Sequence, residues 1–285
     1  MSPQALAIAL ALFSAVTLAA ANVSVKIGSD ILLGRAILSL SAAALVAPFA
    51  FVVPPPDKAT FHALLIACPA HYAYQMCLVR AMQRGDLSLV FPIMRGLAPL
   101  LTALSVMVFI GQHLSPLAWA GLAVATAAVF AFAWPPKGVS PHRHPDRVAL
   151  GWAAATAIGV SLYNAADTHG VHAAPSPQTF IVWLFLADPI LICATTLLAR
   201  RNILAQVRAI PWRWGVAAGG LSVLSFGTAL YAFSLTETAR VSALRETSVV
   251  LAALMGRRFL GEGFGRRRTI SAVALAGGLV AMQFG

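Results

Sequence analysis

Three short stretches hold the residues best able to meet a small polar molecule. The first is PAHYAYQMC, where His71 and Tyr74 stand at i and i+3 with Tyr72 between them. The second is SLYNAAD, where Tyr163 and Asp167 stand at i and i+4 on one helical face, with Asn164 beside them. The third is a pair of arginines, Arg95 in VFPIMRGLAPLL and Arg245 in VSALRETSVV, joined by Tyr231 in GTALYAF. These types suit recognition more than bond-making. Rings stack, phenols and imidazoles hydrogen-bond, and a guanidinium meets a carboxylate. Interface anchoring competes as a reading for tyrosines and for Trp183 near the ends of apolar helices. The two arginines are open to three readings: an ion pair joining parts of the chain, contact with a substrate, or snorkelling to the headgroups. Glu246 points about 100° away from Arg245 around a helix, so it is expected to pair with another helix. Arg35 is expected to reach toward lipid headgroups. Asp167, Asp188, Glu237 and Glu246 are the acids able to carry a proton, and no pattern selects among them.

Other clusters give no support for catalysis. HRHPD (142–146) offers two histidines and an aspartate on a short loop with nothing to hold their geometry. GEGFG (261–265) resembles a phosphate loop, but no strand precedes it. Cys68, Cys77 and Cys193 are odd in number, form no C-x-x-C and lie in apolar runs, so neither structural disulfides nor a metal cluster is expected. We expect no catalytic residue, no metal and no cofactor. A membrane-embedded transferase or a non-transporting receptor or scaffold is the alternative reading.

The elements that position these residues follow from composition. The 285 residues are 59% hydrophobic and 10% charged, with mean hydropathy +0.82. A soluble domain carries about 25% charged residues. The apolar runs are about 20 residues long, the length of a helix crossing a hydrocarbon core. Barrel strands would alternate over about ten residues. Ten spans are predicted, at 4–23, 31–53, 60–80, 88–110, 115–134, 149–167, 178–199, 212–234, 241–260 and 268–284. The first is read as retained, since it lacks the basic n-region of a signal peptide. Pro69, Pro92, Pro99 and Pro189 lie inside spans and can kink them. The net charge of +11 sits between apolar runs, which suits a lipid bilayer as partner and argues against nucleic acid.

The chain also repeats itself. Shifted by 150 positions without a gap, Arg95 falls on Arg245, Leu101 on Leu251, Ala103 on Ala253, Leu104 on Leu254, Phe109 on Phe259 and Gly111 on Gly261. The polar loop PPKGVSPHRHPDR (135–147) divides the chain near its middle. Residues 1–134 and 149–285 are therefore predicted to be two five-span units joined by a 135–148 linker. An odd number of spans per unit inverts the second, so the fold class is an all-α membrane protein built as an inverted five-plus-five repeat. Two such halves can rock about a site between them. Fifteen Lys and Arg residues lie on odd-numbered connections and their margins, against Lys58 and Arg240 on even ones. Basic short loops stay cytoplasmic, so both termini are predicted to lie outside the cytoplasm.

Four segments carry a family resemblance: ANVSVKIGSDILLGRAIL (21–38), RAMQRGDLSLVFPIMRGLAPLLTALSVMVFIGQHLSPLAWAG (80–121), LYAFSLTETARVSALRETSVVLAALMGRRFLGEGF (230–264) and GGLVAMQF (277–284). With the ten-span inverted repeat they resemble the drug/metabolite transporter superfamily in its EamA-domain branch. Gly261-Glu262 keeps the family's Gly-Glu pair, whereas Gly111-Gln112 loses the acid. Many relatives are drawn with cytoplasmic termini, against the charge count here. The resemblance implies a secondary transporter of the bacterial inner membrane, monomeric or homodimeric. It would export small amphipathic metabolites, best matched by amino acids and aromatic ones in particular, through alternating access at a central cavity. The expected substrate-binding residues are His71, Tyr72, Tyr74, Arg95, Tyr163, Asn164, Tyr231 and Arg245.

Overall fold

The computed structural model describes residues 2–25, 30–84, 87–133, 147–200, 212–251 and 266–284, and every regular element among them is helical. The helices are α1 (Pro3–Val25), α2 (Ile31–Val46, continued by a 3-10 turn at Ala47–Phe51), α3 (Lys58–Arg84), α4 (Leu87–Ile110), α5 (Pro116–Ala133), α6 (Arg147–Ala173), α7 (Pro177–Ala187), α8 (Pro189–Ala199), α9 (Trp212–Ser222), α10 (Thr228–Phe233), α11 (Thr238–Arg245) and α12 (Arg266–Phe284). The described helices group into ten rods. The seventh is α7 with α8, and the eighth is α9 and α10 joined by π-helical Val223–Gly227. In the ninth, α11 is followed by helical residues 247–251. The other rods are single helices at the predicted spans.

Local chemistry sets the boundaries. Asp30 accepts the Leu33 N–H at 3.1 Å to cap α2, and Ser115 and Ser176 cap α5 and α7 ahead of a proline in the first turn. Asp57 caps α3, accepting the Thr60 N–H at 2.8 Å and its hydroxyl at 2.6 Å; these donors hold its carboxyl below the usual carboxylate range. Gly111, at φ +76°, ends α4, and the Gln112 N–H reaches back to the Val106 carbonyl at 3.2 Å. Besides the second rod, which ends in a 3-10 turn, and the ninth, interrupted at Glu246, two more predicted spans are not continuous α-helix. Pro189 cannot donate to the preceding turn, and the seventh rod breaks at Asp188. The eighth holds the π-helical turn, which hydropathy cannot reveal.

Six helices are long and apolar enough to cross a membrane: Pro3–Ala20, Ile31–Phe51, Ile93–Ile110, Arg147–Ala173, Pro177–Ala199 and Val216–Phe233. Pro116–Phe132 and Thr269–Phe284 are shorter apolar helices. The 27-residue α3 has the length, but His71, Gln75, Arg80 and Arg84 lower its hydropathy. The burial pattern is inverted relative to a water-soluble protein. Phe51, Val52 and Leu198 are almost fully exposed, while Asp167, Glu246 and Gln75 are buried. An apolar exterior of this kind suits contact with lipid chains.

α3 and α4 both pack along α6, α2 packs along α9, and α1 packs along the eighth rod. α5 and α12 pack backbone to backbone at a glycine seam. A Cβ on Gly121 would lie 2.5 Å from the Gly278 carbonyl oxygen and 2.7 Å from the Met282 nitrogen. Small residues let helix backbones approach in this way. Contacts at the rod ends sort into two groups. Asp30 pairs with Arg200 at one end. At the other, the Trp183 indole N–H donates to the Pro54 carbonyl at 3.1 Å, the Thr238 N–H donates to Gln112 Oε1 at 3.1 Å, and Arg240 donates to the Met282 carbonyl. The His142–Asp146 loop, most of the 135–148 linker, the connections at 201–211 and 257–265, and the repeat positions Ala253, Leu254, Phe259 and Gly261 lie outside the described residues.

Candidate functional site

The polar residues inside the bundle meet where α3 and α4 face α6, the eighth rod and α11. On α3, His71 and Gln75 lie one turn apart and both are buried. The His71 ring stacks on Tyr163 of α6, with centroids 4.4 Å apart and planes 22° apart. Its Nε2 lies 3.2 and 3.0 Å from the two carboxylate oxygens of Asp167, one turn along α6. The i, i+4 placement of Tyr163 and Asp167 thus clasps one imidazole from the face and from the edge. Tyr74 meets Tyr163 edge-on at 5.1 Å. The close approach is permitted by Gly159, where a Cβ would lie 3.0 Å from the Tyr74 Cα.

Arg35 does not reach outward as expected. Its Nη2 donates to the Tyr74 hydroxyl at 3.2 Å, and its guanidinium lies 5.7 Å from that ring's centroid. A phenol on an adjacent helix gives the charge a partner, so it turns inward. Below it, Asp188 at the break between α7 and α8 accepts from Ser39 Oγ at 2.9 Å and Gln75 Nε2 at 3.1 Å.

The arginines separate. Arg95 Nη1 bonds Glu246 Oε1 at 3.2 Å, so Glu246 pairs with another helix, as its divergence from Arg245 requires. Arg245 is buried, its guanidinium lies 5.7 Å from the Phe226 ring centroid, and its Nε has no hydrogen-bond partner. Tyr163, Arg95 and Glu246 all lie within its electrostatic reach.

Phe226 is the residue that the sequence reading missed. Its ring meets His71 at 5.3 Å, Tyr163 at 5.8 Å and Phe185 at 6.2 Å, all edge-on. It sits in the π-helical turn, which inserts a residue and re-aims the side chains around it. One phenylalanine among fifteen in an apolar chain carries no signal of such a role.

The structure therefore brings together His71, Tyr74, Tyr163 and Arg245, with Arg95 adjoining through Glu246. It does not bring in the other three expected residues. The Tyr72 hydroxyl meets Thr195 of α8 at 2.7 Å, because Tyr72 is turned about 100° from His71. Asn164 is buried and donates to Thr102 Oγ1 at 3.0 Å, tying α6 to α4. Tyr231 on α10 is half-buried, and among the described residues no ring contact or side-chain hydrogen bond joins it to the cluster. The space beside Glu246 of the Arg95–Glu246 pair, lined in part by Gly96, Pro99 and Ala243, is too narrow to admit water. The rings of His71, Tyr163, Phe226 and Phe185 fill the centre, and an open central cavity is not found there among the described residues.

Comparison with known proteins gives matches of two kinds. Residues 147–283 match the EamA-like transporter family. A crystal structure of another protein superposes with a TM-score of 0.76, covering 98% of this chain and 95% of that one at 16% identity, a likeness of fold. No curated protein sequence matches the chain.

Proposed function

We propose that the chain, whose residues 147–283 match the EamA-like transporter family, is a secondary transporter moving small amphipathic metabolites by alternating access. Amino acids, aromatic ones first, are the proposed cargo and export the proposed direction. The observation that carries this reading is the central cluster. Its ionic and polar contacts join first-half helices to second-half helices: His71 to Asp167, Arg95 to Glu246, and Gln75 and Ser39 to Asp188. A site between two halves changes its exposure when they rock. Its rings supply stacking area and Arg245 supplies a cation for a carboxylate. In the present conformation those rings must part before a solute can enter.

The packing of the rods supports an inverted repeat. Exchange each rod with the one five places along. The contact of rods three and six becomes eight and one, four and six becomes nine and one, and two and eight becomes seven and three; every one of these is present. Five with ten, two with seven and four with nine map onto themselves and are also present. A pseudo-two-fold axis relating the two halves would account for these shared pairs, although the contacts of rod six with rods seven, eight and nine have no comparable counterpart on rod one among the described residues.

The reading includes a bacterial inner-membrane location with both termini non-cytoplasmic. The basic residues favour it, and more so because Arg240 is buried against Glu237 and the end of α12 and contributes little surface charge. A cysteine at Pro55 in a cysteine-free background should then react with an impermeant thiol reagent in intact cells, and protection there reverses the orientation. For transport, the purified full chain in proteoliposomes should exchange labelled L-phenylalanine faster than protein-free vesicles do. Exchange no faster than in empty vesicles for L-phenylalanine, L-tyrosine and L-leucine alike would refute the proposed cargo.

A further inference from the structure

Among the described acids of the bundle, one is bonded to a partner that can itself change charge. Glu246 faces Arg95 at 3.2 Å and Glu237 faces Arg240 at 2.9 Å, and arginine keeps its proton in proteins. Asp188 is held by the neutral donors Ser39 and Gln75. Asp167, with no exposed surface, faces an imidazole. The geometry also distinguishes the ring nitrogens. His71 Nε2 sits against both carboxylate oxygens, so the network assigns its proton to Nε2, donating to Asp167. Nδ1 is then the atom that gains or loses a proton. With Nδ1 bare the pair carries a net −1, and with Nδ1 protonated it is neutral.

Every neighbouring element presents a group to this pair. α6 presents Tyr163, stacked on the ring. The α7–α8 break presents Asp188, and α3 itself presents Cys68 and Tyr74, with Arg35 of α2 bonded to the latter. α11 presents Arg245, and beyond it lies the Glu246 pair with Arg95 of α4. The two ends of the cluster meet at one ring, Phe226, with His71 5.3 Å from its centroid on one side of the ledger and Arg245 5.7 Å from it on the other.

We propose that His71 and Asp167 form a proton-loading site, and that loading it raises the affinity of Arg245 for the carboxylate of the transported solute. A proton from water on one side binds the Nδ1 lone pair, and the same N–H bond breaks to release it to water on the other. While Nδ1 is bare, the pair's negative charge offsets Arg245. Once Nδ1 is protonated, that offset is gone and a carboxylate can supply it. The two charges lie no more than about 11 Å apart, and at an effective dielectric constant near 20 this coupling is worth about tenfold in affinity. Proton and solute then travel together. At a membrane acidic outside this favours uptake, so export has to run down the solute's own gradient.

The coupling half of this proposal rests on the amino-acid reading, while the proton-loading half does not, and two measurements separate them. In a full-length chain retaining His71 as its only histidine, with the other six changed to Gln, ¹⁵N-histidine resonances should show Nδ1 passing between protonated and bare forms between about pH 5 and about pH 9, with Nε2 protonated throughout. An Nδ1 fixed in one form, or an Nε2 that loses its proton, overturns the proton site. In the second measurement, L-phenylalanine binding to the wild-type chain should tighten about tenfold from about pH 8.5 to about pH 5.5, and Asp167→Asn should remove that dependence. Wild-type affinity independent of pH, or a dependence kept by Asp167→Asn, overturns the coupling. Failure of L-phenylalanine to bind at either pH refutes the proposed cargo instead, and the resonances then decide the proton site alone.

Discussion

Substituting alanine at two adjacent glycines of α12 should have opposite effects, and the difference is calculable. A Cβ on Gly278 would lie 2.7 Å from the Gly121 carbonyl oxygen, 2.8 Å from the Ala125 nitrogen and 3.3 Å from its Cα. All three are backbone atoms of α5, so no side chain can swing aside. Relief requires the helices to part by roughly 0.7 Å, enough to forfeit a quarter to a half of the dispersion attraction along the seam. Buried residues on both sides, including Leu122, Val129, Leu275 and Met282, lose contact with it. At Gly277 nothing lies within 4 Å of the added Cβ. Both changes gain the same ~1 kcal/mol of helix propensity, so that contribution cancels between the variants. The remaining difference is the overpacking cost, about 1–3 kcal/mol. Unfolding of the purified protein in mixed micelles by added dodecyl sulfate measures it. Gly278→Ala should unfold at lower denaturant than Gly277→Ala, with wild type between them. Equal midpoints, or Gly278→Ala the more stable, would show that α5 and α12 are not packed backbone to backbone.

Three further outcomes follow from the same geometry. Arg95→Gln should cost about 3–5 kcal/mol by taking the bonded cation from the buried Glu246 carboxylate, Glu246→Gln should cost less, and the double variant should cost clearly less than their sum; strict additivity in a double-mutant cycle removes the pair. Phe226→Leu should keep the fold, losing about 0.5–1.5 kcal/mol of ring contacts, but slow L-phenylalanine exchange in proteoliposomes; exchange at the wild-type rate excludes Phe226 from the site. Asp57→Ala should lower the thermal midpoint at neutral pH by uncapping α3. The Asp57 carboxyl titrates lower in the folded chain than unfolded, so its contribution is full above the unfolded value near about 4 and is lost as pH falls through the folded one. A midpoint gap to wild type that persists undiminished at about pH 2 contradicts the cap.

The spans were legible because lipid imposes one length and one polarity on every crossing helix. That rule has no term for a π-turn, so Val223–Gly227 stayed hidden and Phe226 with it. Pro189 was visible as a breaker, yet nothing local said that Asp188 would turn toward Gln75 and Ser39. Within a helix, spacing was informative. Tyr163 and Asp167 share a face and both reach His71, and Glu246 diverges from Arg245 and pairs elsewhere. The same geometry tells against Tyr72, which a strict 100° rotation from His71 points at α8 instead of the cluster. Arg35 was misjudged because snorkelling depends only on position along a helix, while its actual partner, Tyr74, is a tertiary neighbour.

The incomplete bonding at the centre bears on what the cluster is for. Arg245 Nε, Glu246 Oε2 and Gln75 Oε1 are buried without a hydrogen-bond partner. Gln75 belongs to the first half and the other two to the second, so both halves contribute. Charged groups inside a span cost about 2.5–3.5 kcal/mol each on insertion scales. Buried ion pairs can often be replaced by well-packed apolar residues without loss of stability, so cohesion alone does not account for holding them there. The unmatched atoms are mixed, one cationic donor and two acceptors. On the proposed reading, once the rings part, an aromatic amino acid would offer a carboxylate to Arg245, an ammonium to the acceptors and a ring to Tyr163 and Phe226. Stabilisation that the chain leaves unclaimed in its own fold then becomes available when the solute binds, which is where a transporter can use it to shift between conformations.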